Sequence, residues 1–177
     1  EIAEQLNWKM TDYVVISVGD GCTIAGVWKG FKDLYAAGFI DRLPRLISAQ
    51  ASGCCPLNRA IETGEDWYPM EENTTADSIA VGVPRNADKA LNAIRESDGI
   101  PVDVSDEEIF AAMRLVGRTC GVFSEPAAAA GAAALKKAVE TGLIPKDATV
   151  TCVSTGNGLK DVANAIKAAG EPLHIEP

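Results

Sequence analysis

Short apolar runs alternate with longer amphipathic stretches along this chain, and the alternation predicts its fold class. The short runs are rich in β-branched residues, as buried parallel strands are. They cover Tyr13 to Val18, Pro44 to Ala49, Ile100 to Val104 and Ala148 to Ser154. Strands that alternate with helices build a mainly parallel open sheet with helices on both faces. We therefore predict an α/β fold, a three-layer αβα domain.

Apolar positions at helical spacing predict four helices between and after these strands. They span Thr23 to Ala37, Asn86 to Glu96, Ser105 to Thr119 and Glu125 to Thr141. Asn86 is expected to cap its helix, and Ser105 with Glu108 forms a capping box. Pro126 suits a first helical turn, and Gly142 marks a helix end. The polar segment 63–78 is the one long connection, and such connections are often functional.

The length and charge of the chain limit its organisation and its partners. Its 177 residues suit one domain, so we predict a single α/β domain over residues 1–177. The net charge of −9 disfavours nucleic acid and anionic membranes as partners. No segment approaches the roughly 18 apolar residues that a membrane span needs. The chain opens inside a helical pattern, "EIAEQLNW", without an initiator methionine, so we expect a fragment of a longer protein.

Five scattered cysteines and a single histidine argue against a metal site. The cysteines are Cys22, Cys54, Cys55, Cys120 and Cys152. They form no C-x-x-C pair, and His174 lies near the end of the chain, so we expect no zinc. Reduced cysteines buried in the core are typical of a cytoplasmic protein. The adjacent Cys54 and Cys55 have no nearby histidine as base, which argues against a nucleophile pair.

The first candidate site is the turn "SVGDGCTI" at residues 17–24. A strand, a small-residue turn and a helix N-terminus are how α/β proteins build anion sites. Gly19 and Gly21 allow positive φ and let a phosphate approach the backbone. The spacing matches neither G-x-G-x-x-G nor a P-loop, so an ordinary tight turn is the alternative. Asp20 opposes a bound phosphate if its carboxylate points inward.

The second candidate is "VTCVSTGNGLKD" at residues 150–161, where Ser154 and Thr155 follow a strand. Ligands gather at the carboxyl ends of strands in open α/β sheets, so both loops should open on one edge. The alternative for Thr155 is a helix cap. Glu125 is expected as a helix N-terminal charge stabilised by the dipole, and Lys160 as a solvated lysine at a helix start.

Five ordered segments together resemble a known family. They are "VGDGCTIAGVWKGF", "RLPRLISAQASGCCPL", "SDGIPVDVSDEEI", "GVFSEPAAAA" and "STGNGLKD". In this order they resemble the C-terminal half of threonine synthases, which are pyridoxal phosphate (PLP) enzymes of the fold type II, tryptophan synthase β-like group. The likeness covers residues 1 to about 165.

The resemblance implies a cofactor pocket. The family's G-N-x-G-N loop, which cradles the cofactor phosphate, matches Gly19, Asp20, Gly21, Cys22 and Thr23. Its threonine beside the pyridine nitrogen, in "TGHGLKD", matches Thr155, although this chain has asparagine in place of the histidine. Residues 20 and 23 also depart from the asparagines of the loop, and residue 22 from its glycine. The Asp20 carboxylate must therefore point outward or bond a neighbouring N–H.

The resemblance also implies an activity, with one essential part missing. It implies a PLP lyase that converts O-phosphohomoserine and water to threonine and phosphate. The family's cofactor-bearing lysine lies upstream in a Ser-Phe-Lys-Asp-like motif that this chain lacks, so we expect no catalytic residue here. Expected partners are the N-terminal half, a phosphorylated amino acid and further copies in a homo-oligomer. Alternatives are cysteate synthesis, serine or threonine dehydration, and a non-catalytic binding domain.

Overall fold

The computed structural model describes residues 1–170, which form four strands, seven α-helices and two short 3₁₀ helices. The strands are β1 (Tyr13–Ser17), β2 (Arg45–Ala51), β3 (Ile100–Val104) and β4 (Val150–Cys152). The α-helices are α1 (Ile2–Gln5), α2 (Cys22–Ala36), α3 (Pro56–Thr63), α4 (Ala87–Glu96), α5 (Asp106–Cys120), α6 (Pro126–Glu140) and α7 (Val162–Ala169). The 3₁₀ helices are Asp77–Ile79 and Gly158–Asp161.

All four strands are parallel and lie in the order β3-β2-β1-β4, which confirms the predicted fold class. Successive residues of a strand point to opposite faces of the sheet. Val14 and Ile16 therefore pack with α1 to α4, and Val15 packs with α5 to α7. The two apolar cores, one on each face of the sheet, make the three layers.

The sequence patterns placed most elements within one or two residues, and local chemistry explains the agreement. The predicted capping box is present: Ser105 Oγ accepts from the Glu108 N–H at 3.2 Å, and Glu108 Oε2 accepts from the Ser105 N–H at 2.7 Å. The prediction for Asn86 was half wrong. Asn86 holds the N-cap position of α4, but its side chain donates to the Gly21 carbonyl at 3.3 Å instead of capping the helix.

The order of the strands creates a crevice beside β1. β2 and β3 lie on one side of β1 and β4 lies on the other. The chain leaves β1 toward α2 on one face of the sheet and leaves β4 toward α7 on the opposite face. Loops that diverge in this way open a crevice at the carboxyl ends of the two strands, where open α/β sheets bind ligands.

The long connection 63–78 is held against the domain and ends at this crevice. The Met70 N–H donates to the Gly82 carbonyl at 3.1 Å, and the Asn73 N–H donates to the Gly53 carbonyl at 3.2 Å. The 3₁₀ helix Asp77–Ile79 follows and borders the crevice. Among the helices of residues 1–170, none is both long and apolar enough to cross a membrane.

Candidate functional site

The crevice between β1 and β4 brings the two candidate loops together. It is a cavity of about 170 Å³. Its lining includes the turn after β1, the 3₁₀ helix, the start of α6 and the loop after β4: Ser17 to Ile24, Ser78, Ile79, Ala127 and Thr155. All six residues that the sequence proposed for cofactor binding therefore line one cavity. Ser78 and Ala127 were not proposed, although they fall in two segments that the sequence analysis singled out.

Gly21 starts α2 and leaves the first amides of the helix available. Gly21 is the N-cap residue with φ +83°, and no side chain caps the helix. The first helical bond runs from the Ala25 N–H to the Gly21 carbonyl at 3.2 Å. The N–H groups of Cys22, Thr23 and Ile24 therefore have no acceptor within the helix, and they lie at its positive end. This arrangement suits a phosphate.

The two glycines of the turn are required for different reasons. Of these two, only Gly21 takes a positive φ. At Gly19 a Cβ atom would lie 3.0 Å from the Ser78 carbonyl oxygen and 3.1 Å from the Cα of Ile79. At Gly21 it would lie 2.6 Å from the Cβ of Ala90. Close packing against the 3₁₀ helix and α4 therefore contributes to the need for glycine.

The Asp20 carboxylate bonds a neighbouring N–H, which is one of the two arrangements expected of it. Its Oδ1 accepts a hydrogen bond from the Arg85 N–H at 3.0 Å, and its carbonyl accepts from the Asn86 N–H at 3.0 Å. The carboxylate is therefore bonded at the start of α4, and a positive helix end favours a negative charge there.

Thr155 is not a helix cap. Asn157 Oδ1 accepts from the Leu159 N–H at 2.9 Å and caps the second 3₁₀ helix, while Asp161 Oδ1 accepts from the Asn164 N–H at 3.1 Å and caps α7. Thr155 is exposed and lines the same crevice as the glycine turn. Its hydroxyl can donate or accept a hydrogen bond there.

The loop that carries Thr155 is paired with the segment before α6, a contact that the sequence did not predict. The Glu125 N–H donates to the Gly156 carbonyl at 3.0 Å, and the Gly158 N–H donates to the Phe123 carbonyl at 2.9 Å. A Cβ atom on Gly156 would lie 1.9 Å from Glu125 Oε1, and one on Gly158 would lie 2.3 Å from the Phe123 ring. Both glycines of "TGNG" are thus explained by the side chains packed on them.

Glu125 and Lys160 form an ion pair beside the crevice. Lys160 Nζ lies 3.0 Å from Glu125 Oε1, and the Glu125 side chain is only 6% exposed. Lys160 is exposed, as expected of a solvated lysine, but the expectation missed its ion pair with a buried carboxylate. A second hollow of about 330 Å³ lies here and shares Ser78 and Ala127 with the crevice. Within residues 1–170, no lysine lines the crevice itself.

Three of the cysteines, Cys54, Cys55 and Cys152, show no sign of a nucleophile. Burial raises the pKa of the Cys55 thiol to about 12 and that of the Cys152 thiol to about 11, and it also raises the pKa of Cys54. Buried thiols of this kind are inert, because the thiolate is the reactive form. In the described part of the chain, no group of three or more His, Cys, Asp or Glu side chains could hold a metal ion.

A parallel sheet with a crevice at its switch point, lined by a glycine turn and a helix N-terminus, is the arrangement in which open α/β sheets bind ligands. Comparison with known proteins makes the assignment specific. Residues 1–156 match the family described as pyridoxal-phosphate dependent enzyme. The chain belongs to this pyridoxal-phosphate dependent enzyme family.

Curated relatives support the family, and a solved structure shows the same fold. The chain is 44% identical to a threonine synthase of Methanocaldococcus jannaschii over 99% of its length, and 43% identical to one of Methanosarcina acetivorans over 99%. It spans 44% of the length of each of these relatives. A tomato threonine deaminase has the same fold, with a TM-score of 0.74 at 22% identity over 96% of this chain and 47% of that one.

Proposed function

We propose that this chain is the C-terminal part of a threonine synthase-like lyase and contributes a portion of its large cofactor domain. The whole enzyme would convert O-phosphohomoserine and water to threonine and phosphate. The observation that carries the proposal is the single crevice that the glycine turn and Thr155 both line. The relatives named threonine synthase, at 43–44% identity along nearly the whole chain, support this activity over others.

The crevice fits pyridoxal phosphate on the chemistry of its lining. The free amides at the start of α2 would bind the phosphate, with Gly19, Asp20, Gly21, Cys22 and Thr23 forming the loop around it. The Asp20 carboxylate is bonded to the Arg85 N–H. When bound, the cofactor supplies an electron sink for the reacting amino acid.

Thr155 would orient the other end of the cofactor. Its hydroxyl carries no charge near neutrality and can donate a hydrogen bond to an unprotonated pyridine nitrogen. The loop that bears it is fixed by main-chain bonds to the segment before α6. The residues of this chain thus bind and orient the cofactor, and the chain alone is expected to be inactive because it lacks the family's lysine motif.

The remaining partners follow from the same proposal. The N-terminal half would supply the cofactor-bearing lysine and the groups that recognise a phosphorylated amino acid. We expect a homo-oligomer in the cytoplasm, and the five free cysteine thiols suit a reducing compartment.

The test is turnover by the full-length protein, purified with pyridoxal phosphate. Incubation with O-phosphohomoserine should release phosphate and form threonine in equal amounts. Parallel incubations with serine and threonine should give little 2-oxo acid, and O-phosphoserine with sulfite should give no cysteate. Turnover of one of these alternatives, without threonine formation, would assign the protein to a different activity. Failure to retain the cofactor would favour a non-catalytic binding domain.

A further inference from the structure

Lys160 joins three separate elements beside the crevice. Its Nζ lies 3.0 Å from Glu125 Oε1 at the start of α6 and 3.3 Å from Ser78 Oγ in the first 3₁₀ helix. Lys160 itself belongs to the second 3₁₀ helix. The side chain of Lys160 is 60% exposed, whereas that of Glu125 is 6% exposed. A carboxylate that is almost buried needs a charged partner, and Lys160 supplies it.

Glu125 also determines where the Thr155 loop lies. Its N–H donates to the Gly156 carbonyl at 3.0 Å, and its carboxylate occupies the position that a Cβ atom on Gly156 would take. Both the main chain and the side chain of Glu125 thus contact the residue that follows Thr155. Ser78, at the far end of the Lys160 contact, lines the same crevice as Thr155.

We propose that the Glu125–Lys160 ion pair is a positioning device that holds the Thr155 hydroxyl in place in the crevice that the glycine turn also lines. Neither residue touches reacting atoms in this role, because both act through the loop Thr155–Gly158. The proposal rests on the proposed function only in naming Thr155 as the group that meets the cofactor. Loss of the ion pair should change the orientation of the bound cofactor more than its affinity.

The sharpest test displaces the Glu125 carboxylate by a substitution at a neighbouring residue, Gly156. Gly156→Ala places a Cβ atom where the carboxylate lies, and Gly156 is not at a positive φ, so the backbone tolerates alanine. In the full-length holoenzyme, this variant should shift the absorbance spectrum of the bound cofactor and lower kcat about 10- to 100-fold, the scale of a catalytic group misplaced by roughly 1 Å. KM should change little. Adding Glu125→Ala should give a much smaller further loss than Glu125→Ala causes alone.

The lysine side of the pair gives an independent test that does not depend on how alanine is accommodated. Lys160→Met should produce the same spectral shift and faster hydrogen exchange at the Glu125 and Gly158 amides, which donate the two main-chain bonds between the loops, whereas Lys160→Arg should keep the wild-type spectrum and exchange. Lys167→Met, which removes an exposed lysine from α7, is the matched control and should resemble wild type. Because exchange and spectrum need no substrate, they report on the pair even if the substrate is not O-phosphohomoserine. A wild-type spectrum and exchange pattern in Lys160→Met would overturn the proposal, as would strict additivity of Gly156→Ala and Glu125→Ala.

Discussion

The main-chain N–H of Arg85 donates a hydrogen bond to Oδ1 of Asp20 at 3.0 Å, which ties the turn after β1 to the start of α4. The bond accounts for an aspartate in a loop expected to hold a phosphate dianion. It also separates two properties of that side chain. Its acceptor oxygen supports the fold, while its negative charge opposes an anionic ligand.

Asp20→Asn should separate the two properties, because an amide oxygen can still accept from the Arg85 N–H. We expect unchanged stability and tighter binding of pyridoxal phosphate, by on the order of 1 kcal/mol, the scale of two charges about 4 Å apart in water. Asp20→Ala should lower the free energy of unfolding by about 0.5–2 kcal/mol, as the loss of a helix cap does. Cofactor titration and urea unfolding of the full-length protein measure both effects. Asp33→Asn removes the same charge from the far part of α2 and should leave cofactor affinity unchanged. If it tightened binding as much as Asp20→Asn, the effect would come from the net charge of the protein and not from the position of Asp20.

Gly21 is the N-cap residue of α2, and Gly30 lies inside the same helix. Alanine should change the free energy of unfolding in opposite directions at the two positions. Gly21 has φ +83° and lies against Ala90, so Gly21→Ala should lower the free energy of unfolding by more than about 2 kcal/mol. Nothing lies within 4 Å of a Cβ atom on Gly30, an exposed residue inside α2. Gly30→Ala should therefore raise stability by roughly 0.5–1 kcal/mol. Urea unfolding measures both changes. A Gly21→Ala protein as stable as wild type would contradict the structure of the turn.

Asp103 and Asp12 should give opposite pH dependences of stability. Burial raises the pKa of Asp103 above its usual 3.8, although the Asn58 side chain donates to its carboxylate at 2.6 Å. The native state then binds more protons than the unfolded state, so this group's contribution to stability increases as pH falls through the raised pKa. Hydrogen bonds from the Thr149 side chain and main chain, joined by one from Arg42, lower the pKa of Asp12. Its contribution is present above pH 3.8 and is lost at lower pH.

The measurement is the free energy of unfolding between about pH 2 and pH 7, which covers the raised pKa of Asp103 and part of the range below pH 3.8 in which the contribution of Asp12 is lost. Asp103→Asn should make stability fall more steeply on acidification than in wild type, because the compensating group is gone. Asp12→Asn should make the fall shallower. Identical pH profiles for the two variants would show that neither carboxyl titrates as its surroundings indicate.

The sequence predicted what depends on neighbouring residues and missed what depends on contacts between distant ones. Strands β1 to β4 follow from apolar runs, and the Ser105 capping box follows from a spacing of three residues. The Glu125–Lys160 pair joins residues 35 positions apart through two loops. Glu125 precedes a proline at a helix start, and Lys160 follows a glycine turn. Each pattern has an ordinary local explanation, so neither predicts the contact between them. Helix α3 was also missed, because its eight residues directly follow a strand and two cysteines without a capping side chain.

An exposed apolar stripe on the last helices should make the isolated chain associate. Leu159, Val162 and Ile166 are 73%, 51% and 64% exposed and lie at helical spacing. Exposed apolar surfaces of this kind mark interaction sites. Sedimentation velocity of the chain 1–177 should show dimers or larger species, and Ile166→Lys should shift them toward monomer. Ala36→Lys adds the same charge at the exposed end of α2, on the other face of the sheet, and should leave association unchanged. A monomer at high concentration would show that the stripe needs no partner.

Thr155 gives the most direct test of the proposed pocket, because its hydroxyl can be kept, removed or replaced by a charge. In the full-length enzyme, Thr155→Ser keeps the hydroxyl and should retain most activity. Thr155→Ala removes the hydrogen bond and should lower kcat by about 10- to 100-fold, the usual range for one misdirected group in a site. An aspartate within about 4 Å of a pyridine nitrogen would favour its protonated form, which alters how the ring withdraws electrons. Thr155→Asp should therefore retain the cofactor, shift its absorbance and lose phosphate elimination.

Ser154→Ala, at the exposed neighbouring position, is the matched control and should resemble wild type. If Thr155→Ala is silent in both turnover and spectrum, the cofactor nitrogen lies elsewhere, and the crevice holds only the phosphate.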